Sequence, residues 1–187
     1  MTALHQPRLQ SLLAYLLLHR HAPQSRQQMA FLIWPDSSEA QARANLRKLL
    51  YYLHRALPAA HPFLLYDKKN VQWNQSALYR VDVVEFDAFL AQADTAEKDE
   101  DPATAALVAA INLYHGDLLP ACYADWLQSE RDHWRARFIT ALEKLLLLLE
   151  SQRNYAQASL YAQRLLRHDP LHEATYRHLM RLYTIQG

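Results

Sequence analysis

Basic, amide and phenolic side chains recur along one segment of the chain, between positions 41 and 55. Arginine can donate two hydrogen bonds to guanine, and glutamine or asparagine can pair with adenine through two bonds. Lysine and arginine also neutralise phosphate charge. These residue types therefore suit contact with the base edges and the backbone of duplex DNA. The candidate contact residues of the segment are Gln41, Arg43, Asn45, Arg47, Lys48, Tyr51 and Arg55.

One long helix is predicted to carry these residues, because apolar residues recur three and four positions apart over the same stretch. That apolar set comprises Ala42, Leu46, Leu49, Leu50, Leu53, Ala56 and Leu57. At about 100° per residue, four of the candidates project away from the apolar face: Gln41, Lys48, Tyr51 and Arg55. Arg47 lies on one flank of this outer face, and Arg43 and Asn45 lie on opposite shoulders.

Two shorter helices are predicted ahead of the long one. An apolar stripe within Leu9–His19 indicates the first, and Ser25 is a suitable N-cap for the second. Pro35 then forms a corner, since the residue before a proline avoids the helical conformation. Either Ser37 or Ser38 is expected to cap the long helix that follows.

A β-hairpin is predicted after the long helix. Two short β-prone runs, Phe63–Tyr66 and Val71–Trp73, flank the polar tetrad Asp67-Lys68-Lys69-Asn70, a pattern typical of a turn between two strands. A further run, Leu78–Val81, can add a third strand. Three helices followed by a hairpin give the outline of a winged helix.

Three more basic residues are candidates for DNA contact outside the long helix. Lys68 and Lys69 lie at the predicted hairpin tip and suit the DNA backbone or the minor groove. Arg26 lies in the first turn of the second helix and suits a phosphate.

The remainder of the chain is predicted to be helical. Asp82 and Glu85 resemble a capping box at the start of the next helix. The acidic stretch Ala93–Asp101 is expected to be an exposed loop, and Gly116 is expected to cap the helix that follows it. Three further helices are predicted over 123–152, 154–167 and 171–186.

The last two predicted helices resemble the second helix of one tetratricopeptide-like repeat and the first helix of the next. The small and apolar positions that carry this signal are Ala158, Ala162, Leu165 and Pro170. The final helix lacks the second helix of its own repeat, and repeats need neighbours to bury their faces. We therefore expect the chain to be incomplete at its C-terminus.

Charge is distributed unevenly along the chain. Residues 1–80 hold ten Lys and Arg against three acidic residues, a balance of +7, whereas residues 81–187 hold ten against sixteen, a balance of −6. This asymmetry indicates a basic half that meets a polyanion. The single cysteine, the lack of a signal-peptide pattern and the short apolar runs predict a cytoplasmic protein without a membrane partner.

Catalytic and metal-binding patterns are absent from the sequence. It contains no HExxH, no cysteine pair and no GxSxG, and its two glycines cannot form a glycine-lined phosphate loop. We therefore predict no catalytic residue, no metal site and no cofactor, and a protein that is not an enzyme.

The same residues allow other interpretations. Cations on the outer face of a helix are usually solvated, and Glu39 and Arg43 have the spacing of an ordinary ion pair. Arg43 can equally brace the domain, and Asn45 can buttress its own helix. Trp34 is interpreted as a core residue at the corner. The alternative function is a helical-repeat protein–protein interaction module, a fragment of a larger signalling regulator, without DNA binding of its own.

Several segments resemble, in order, the Streptomyces antibiotic regulatory protein family of transcriptional activators. FLIWPD at 31–36 and ARANLRKLLYYLHRAL at 42–57 are similar to its DNA-binding half, and DVVEFDAFLAQA at 82–93 is similar to its domain junction. The motifs that resemble its bacterial transcriptional activator domain are LYHGDLLP at 113–120, ADWLQSERDHWR at 124–135 and DPLHEATYRHLMRLY at 169–183.

The resemblance implies a mainly α fold, with an OmpR-like winged helix-turn-helix and a small β-hairpin followed by a tetratricopeptide-like helical domain. We place these domains at residues 1–81 and 82–187. It implies an activator that binds promoter DNA, recruits RNA polymerase through the Trp34–Ser38 turn, and forms a homodimer through its helical domain. Family members carry an N-terminal β-sheet, which we expect to be absent here because only Met1–Pro7 precede the first helix.

Overall fold

The computed structural model describes residues 6–58, 62–96 and 101–186. Within these residues it shows eight helices and one three-stranded sheet, so the chain is mainly α-helical. The fold divides into two compact units. The first comprises residues 1–79 and 118–130, and the second comprises residues 80–117 and 131–187.

Three helices and a small sheet build the first unit. In chain order the elements are α1 (Pro7–Leu18), β1 (Gln24–Ser25), α2 (Arg26–Ile33), α3 (Glu39–Ala56), β2 (Leu64–Tyr66) and β3 (Asn70–Trp73). Ser25 Oγ accepts from the backbone N–H of Gln28, and Ser38 Oγ accepts from that of Gln41. The predicted caps are thereby confirmed, with Ser38 rather than Ser37 at the start of α3.

The sheet has the order β1–β3–β2, and both pairings are antiparallel. Gln24 pairs with Val71, and Leu64 pairs with Trp73. The third strand expected at Leu78–Val81 is wrong, because that segment forms no strand and Leu78 is 80% exposed. β1 and β2 already occupy both edges of β3.

The core of the first unit lies between the helices and the sheet. The apolar face predicted for α3 is confirmed, with its first five members buried and Ala56 and Leu57 half-buried. Trp34 is buried at the corner, as expected of a core residue. The main contributors from the other elements are Leu12, Leu16, Met29, Val71 and Trp73.

Residues 118–130 complete the first unit by packing on α1. Trp126 Nε1 donates to Ser11 Oγ at 3.2 Å, and the Trp126 ring meets the Tyr15 ring edge-on at 5.3 Å. Part of the surface of α1 is thus covered by residues that follow it by more than a hundred positions in the sequence.

Five helices contribute to the second unit. They are α4 (Asp82–Thr95), α5 (Asp101–Leu113), α6 (Trp126–Ser151), α7 (Tyr155–His168) and α8 (Glu173–Gln186); α6 enters this unit at Arg131. Its core includes Phe86, Ile111, Phe138, Leu142, Ala162 and Leu182. No helix in the described ranges combines the length and the apolarity that crossing a membrane requires.

Two predicted helix ends in this unit are wrong. The capping box is not formed, because Glu85 pairs with Arg80 at 2.6 Å and Asp82 accepts from the adjacent Val83 N–H. α5 ends at Leu113, so Gly116 does not cap it, although Gly116 does adopt a positive φ of 139°.

Arg164 of α7 instead donates hydrogen bonds to backbone carbonyl groups at the C-terminal end of α5. It donates to the Ile111 carbonyl oxygen at 2.7 Å and to the Tyr114 carbonyl oxygen at 3.4 Å. Both ends of the expected acidic loop are helical instead, since α4 continues through Thr95 and α5 begins at Asp101. Positions 97–100 of that loop lie outside the described residues.

Candidate nucleic-acid interface

The outer face of α3 carries most of the predicted contact residues. These residues are exposed, apart from Asn45, which is half-buried. The leucines of the same helix point into the core. The amphipathic pattern therefore leaves Gln41, Arg43, Arg47, Lys48, Tyr51 and Arg55 on the solvent side.

Arg43 differs from the other cations of α3 because its charge is compensated. Its guanidinium lies 2.7 Å from Glu39 Oε1, the pair that the alternative interpretation anticipated. The same Glu39 oxygen accepts from Gln27 Nε2 at 3.2 Å. Arg43 is thus held in a link between α2 and the first turn of α3, and its charge is less available to a ligand.

Two of the remaining cations of α3 are held by aromatic rings. Lys48 Nζ lies 5.9 Å from the centre of the Tyr52 ring, and the Arg55 guanidinium lies 5.8 Å from the Tyr51 ring. Arg55 also donates to the Tyr51 hydroxyl at 3.4 Å. Within the described part of the chain, neither these cations nor Arg47 forms an ion pair. The rings therefore orient the charged groups of Lys48 and Arg55, and no carboxylate in the described structure neutralises these charges.

The hairpin tip is shaped by one carboxylate. Asp67 Oδ1 accepts from the backbone N–H groups of Lys69 and Asn70, both at 2.6 Å, and Asp67 Oδ2 accepts from Asn70 Nδ2 at 2.9 Å. The hydrogen bond from the Asn70 side chain, followed by those from the two backbone N–H groups, lowers the pKa of Asp67. The resulting turn leaves the side chains of Lys68 and Lys69 exposed.

Arg26 connects α2 to that tip. Its backbone N–H donates to the Lys69 carbonyl oxygen at 2.8 Å, and its side chain is half-buried. Burial raises the pKa of Tyr66, and the positive charge of Arg26 opposes that rise. The structure thus brings Arg26 and Lys69 together, two candidates that are 43 positions apart in the sequence.

Gln41 and Asn45 are joined on one flank of α3. Gln41 Nε2 donates to Asn45 Oδ1 at 2.9 Å, so Asn45 buttresses its own helix as one of the open interpretations expected. Sequence reasoning missed Gln27 and Tyr52 as parts of this surface. The spacing of Glu39 and Arg43 had already indicated their ion pair, whereas nothing local indicates the bond from Gln27 to Glu39.

The second unit exposes apolar side chains on its last two helices. Leu160, Tyr176, Met180 and Tyr183 are each about half exposed or more. Tyr155 and Tyr161 are partly buried and pack against the core of this unit. In the ranges that the structure describes, no three His, Cys, Asp or Glu side chains come close enough to hold a metal ion.

Comparison with known proteins gives one family. The bacterial transcriptional activator domain matches residues 81–187, which is more than half of the chain. The matched residues do not include α1, α2, α3 or the sheet. No curated protein matches the sequence.

Proposed function

Because the chain belongs to the bacterial transcriptional activator domain family, we propose that it is a sequence-specific DNA-binding transcriptional activator. In this proposal, residues 1–81 form a winged helix-turn-helix that binds promoter DNA, and residues 82–187 form the activator domain. The family itself is one of transcriptional regulators rather than of enzymes.

The observation that carries the proposal is the outer face of α3. Arg47, Lys48 and Arg55 are exposed cations on a helix whose opposite face is buried. A helix that follows a short helix and a corner, and that presents basic and amide groups outward, matches the way a recognition helix enters the major groove. Arginine there can read guanine, and lysine can neutralise a phosphate.

The hairpin supports the proposal as the wing. Lys68 and Lys69 extend from a turn that Asp67 fixes, and Arg26 anchors that turn to α2. A rigid basic tip beside the recognition helix suits contact with the DNA backbone or the minor groove. Tyr51 suits a phosphate oxygen through its hydroxyl.

The protein partners in this proposal are RNA polymerase and a second copy of the chain. The Trp34–Ser38 turn is the proposed polymerase contact; Trp34 is buried while Pro35 and Asp36 are exposed. The proposed homodimer forms through the helical domain. Its exposed residues Tyr176, Met180 and Tyr183 recur on one face of α8 and support an interaction surface there.

The experiment is selection of bound duplexes from a pool with a randomised core, followed by titration of the selected duplex at increasing salt. We expect a defined preferred sequence and an affinity that falls steeply with salt, because each neutralised phosphate releases counterions. Absence of duplex binding at low salt would overturn the proposal.

The second candidate function is a protein–protein interaction module without DNA binding. The exposed apolar face of α8 favours it. The two candidates make opposite predictions for the same titration. For the DNA-binding candidate, a variant of α8 tests whether the dimer surface and the DNA surface are separate. Met180→Asp is expected to weaken self-association while leaving the affinity of a single chain for duplex DNA unchanged.

A further inference from the structure

We propose that Gln41 reads one adenine in the major groove and that Asn45 fixes the orientation of the Gln41 amide. This inference rests on the proposed DNA-binding function and specifies which base the first turn of α3 recognises. Gln41 is the third residue of α3 and is exposed, and Asn45 lies one turn further along the same flank.

The hydrogen bond between the two amides determines what Gln41 can offer to a base. A primary amide has two N–H donors and one carbonyl acceptor. One N–H of Gln41 is directed at Asn45 Oδ1, at 2.9 Å. The other N–H and the carbonyl oxygen of Gln41 remain free within the described structure, as one donor and one acceptor.

Adenine is the base that matches one donor and one acceptor in the major groove. Its N6 amino group donates and its N7 accepts, whereas guanine presents two acceptors, O6 and N7. The carbonyl oxygen of Gln41 would therefore face the O6 of guanine without a proton between them. Cytosine and thymine can each form at most one of the two bonds.

Asn45 acts as a positioning residue in this arrangement. If the Gln41 amide rotated by 180° alone, its carbonyl oxygen would face the carbonyl oxygen of Asn45, and the hydrogen bond between them would be lost. Only a rotation of both amides together would keep a hydrogen bond. Asn45 is half-buried, while Gln41 is exposed, so Gln41 is the more accessible of the two amides. The orientation that suits adenine is thus present before DNA is bound.

Substitutions of Gln41 test the base that is read. The wild-type chain first selects duplexes from a randomised pool, which defines the preferred base at each position. Gln41→Ala is then expected to lose roughly 5- to 150-fold of the discrimination for adenine at one position while keeping the other preferences. Gln41→Glu offers only acceptors, so its preference at that position is expected to shift to cytosine, whose N4 amino group donates.

Substitutions of Asn45 test the positioning role. Asn45→Asp keeps an oxygen that can accept from Gln41, and it is expected to retain the adenine preference, with a lower affinity for all duplexes because of its charge. Asn45→Leu removes the acceptor and is expected to relax the preference at the same position. A purely structural role of Asn45 would lower the affinity without changing the base preference.

An altered base tests the interaction without altering the protein. Replacing the selected adenine by 7-deazaadenine removes N7, and the wild-type chain is expected to bind this duplex more weakly, whereas Gln41→Ala should bind both duplexes equally. If Gln41→Ala binds duplex with the salt dependence of the wild type and keeps every base preference, this inference is wrong and the DNA-binding proposal stands. If no duplex is bound at all, both are wrong.

Discussion

The backbone N–H of Arg26 donates a 2.8 Å hydrogen bond to the carbonyl oxygen of Lys69. This bond ties the first residue of α2 to the tip of the hairpin. The next residue, Gln27, donates to Glu39 at the start of α3. One turn of α2 therefore positions both the basic tip and the first turn of the candidate recognition helix.

Removal of the tip charges is expected to weaken DNA binding without changing its specificity. In the double variant Lys68→Ala and Lys69→Ala, the salt dependence of log K is expected to become shallower by about 0.9 for each phosphate that is no longer neutralised. Affinity should fall by a similar factor for all duplex sequences, because phosphate contacts carry no base information. Titration of selected and random duplexes at several salt concentrations measures both effects.

A matched control is available in the second unit. Arg167 of α7 and Arg177 of α8 are exposed, and changing both to alanine removes the same total charge. The control should retain the wild-type salt slope. Equal effects of the two double variants would show that the net charge, and not the hairpin tip, governs binding.

Arg47 and Arg43 are expected to differ although both lie on α3. Arg47→Ala should relax the preference at one base position, at a cost of about 1–3 kcal/mol, the value of a bidentate pair with guanine. Arg43→Ala should change specificity less, because Glu39 already compensates that guanidinium at 2.7 Å. Binding of each variant to duplexes mutated one position at a time provides the measurement, and a larger specificity change for Arg43 would contradict this assignment.

Several helical elements of the first unit could be predicted from sequence because their signals were local. Ser25 and Ser38 each precede an amphipathic run, and both caps form as predicted. The three-and-four spacing of the α3 leucines identified its buried face. Strand β1 could not be found in this way, because Gln24 and Ser25 are polar and only two residues pair with β3.

Interactions between distant residues were the part that the sequence could not predict. Arg164 caps the C-terminal end of α5 by donating to the Ile111 carbonyl oxygen, although the two residues are 53 positions apart. The glycine at 116 offered the stronger local signal for a helix end, and that prediction was wrong. In the candidate interface, residue types and faces followed from the helical period, whereas the bond from Gln27 to Glu39 depends on how α2 packs beside α3.

Replacement of Arg164 is expected to destabilise the helical unit. Arg164→Lys keeps the charge but cannot reproduce the branched donor geometry that reaches Ile111 and Tyr114. The free energy of unfolding should fall by about 1.5–3 kcal/mol, the range for hydrogen bonds to charged groups. Urea denaturation measures it, with the exposed Arg167→Lys on the same helix as control; equal stability of the two variants would contradict the capping role.

Stability of the same unit is expected to depend on the protonation of His168. Burial, reinforced by the charge of Arg164, lowers the pKa of His168 below its ordinary value of 6.5. As the pH falls, the unfolded chain therefore binds a proton at His168 before the folded chain does. The contribution of neutral His168 to the free energy of unfolding is complete above pH 6.5 and is lost as the pH falls through the lowered pKa.

His168→Phe tests this dependence while keeping an aromatic ring near Phe138, whose ring centre lies 4.8 Å from that of His168. The variant should lose less stability than the wild type on acidification over this range, as followed by thermal unfolding. An unchanged pH dependence in His168→Phe would contradict the assignment.

The most direct test of the central claim is to map the surface of the protein that a selected duplex touches, by NMR perturbation of the full chain. We expect perturbations at Gln41, Arg47, Lys48 and Arg55 on α3 and at Lys68 and Lys69 on the hairpin. Perturbations confined to the helices that follow residue 82, or no perturbation by any duplex at low salt, would contradict it.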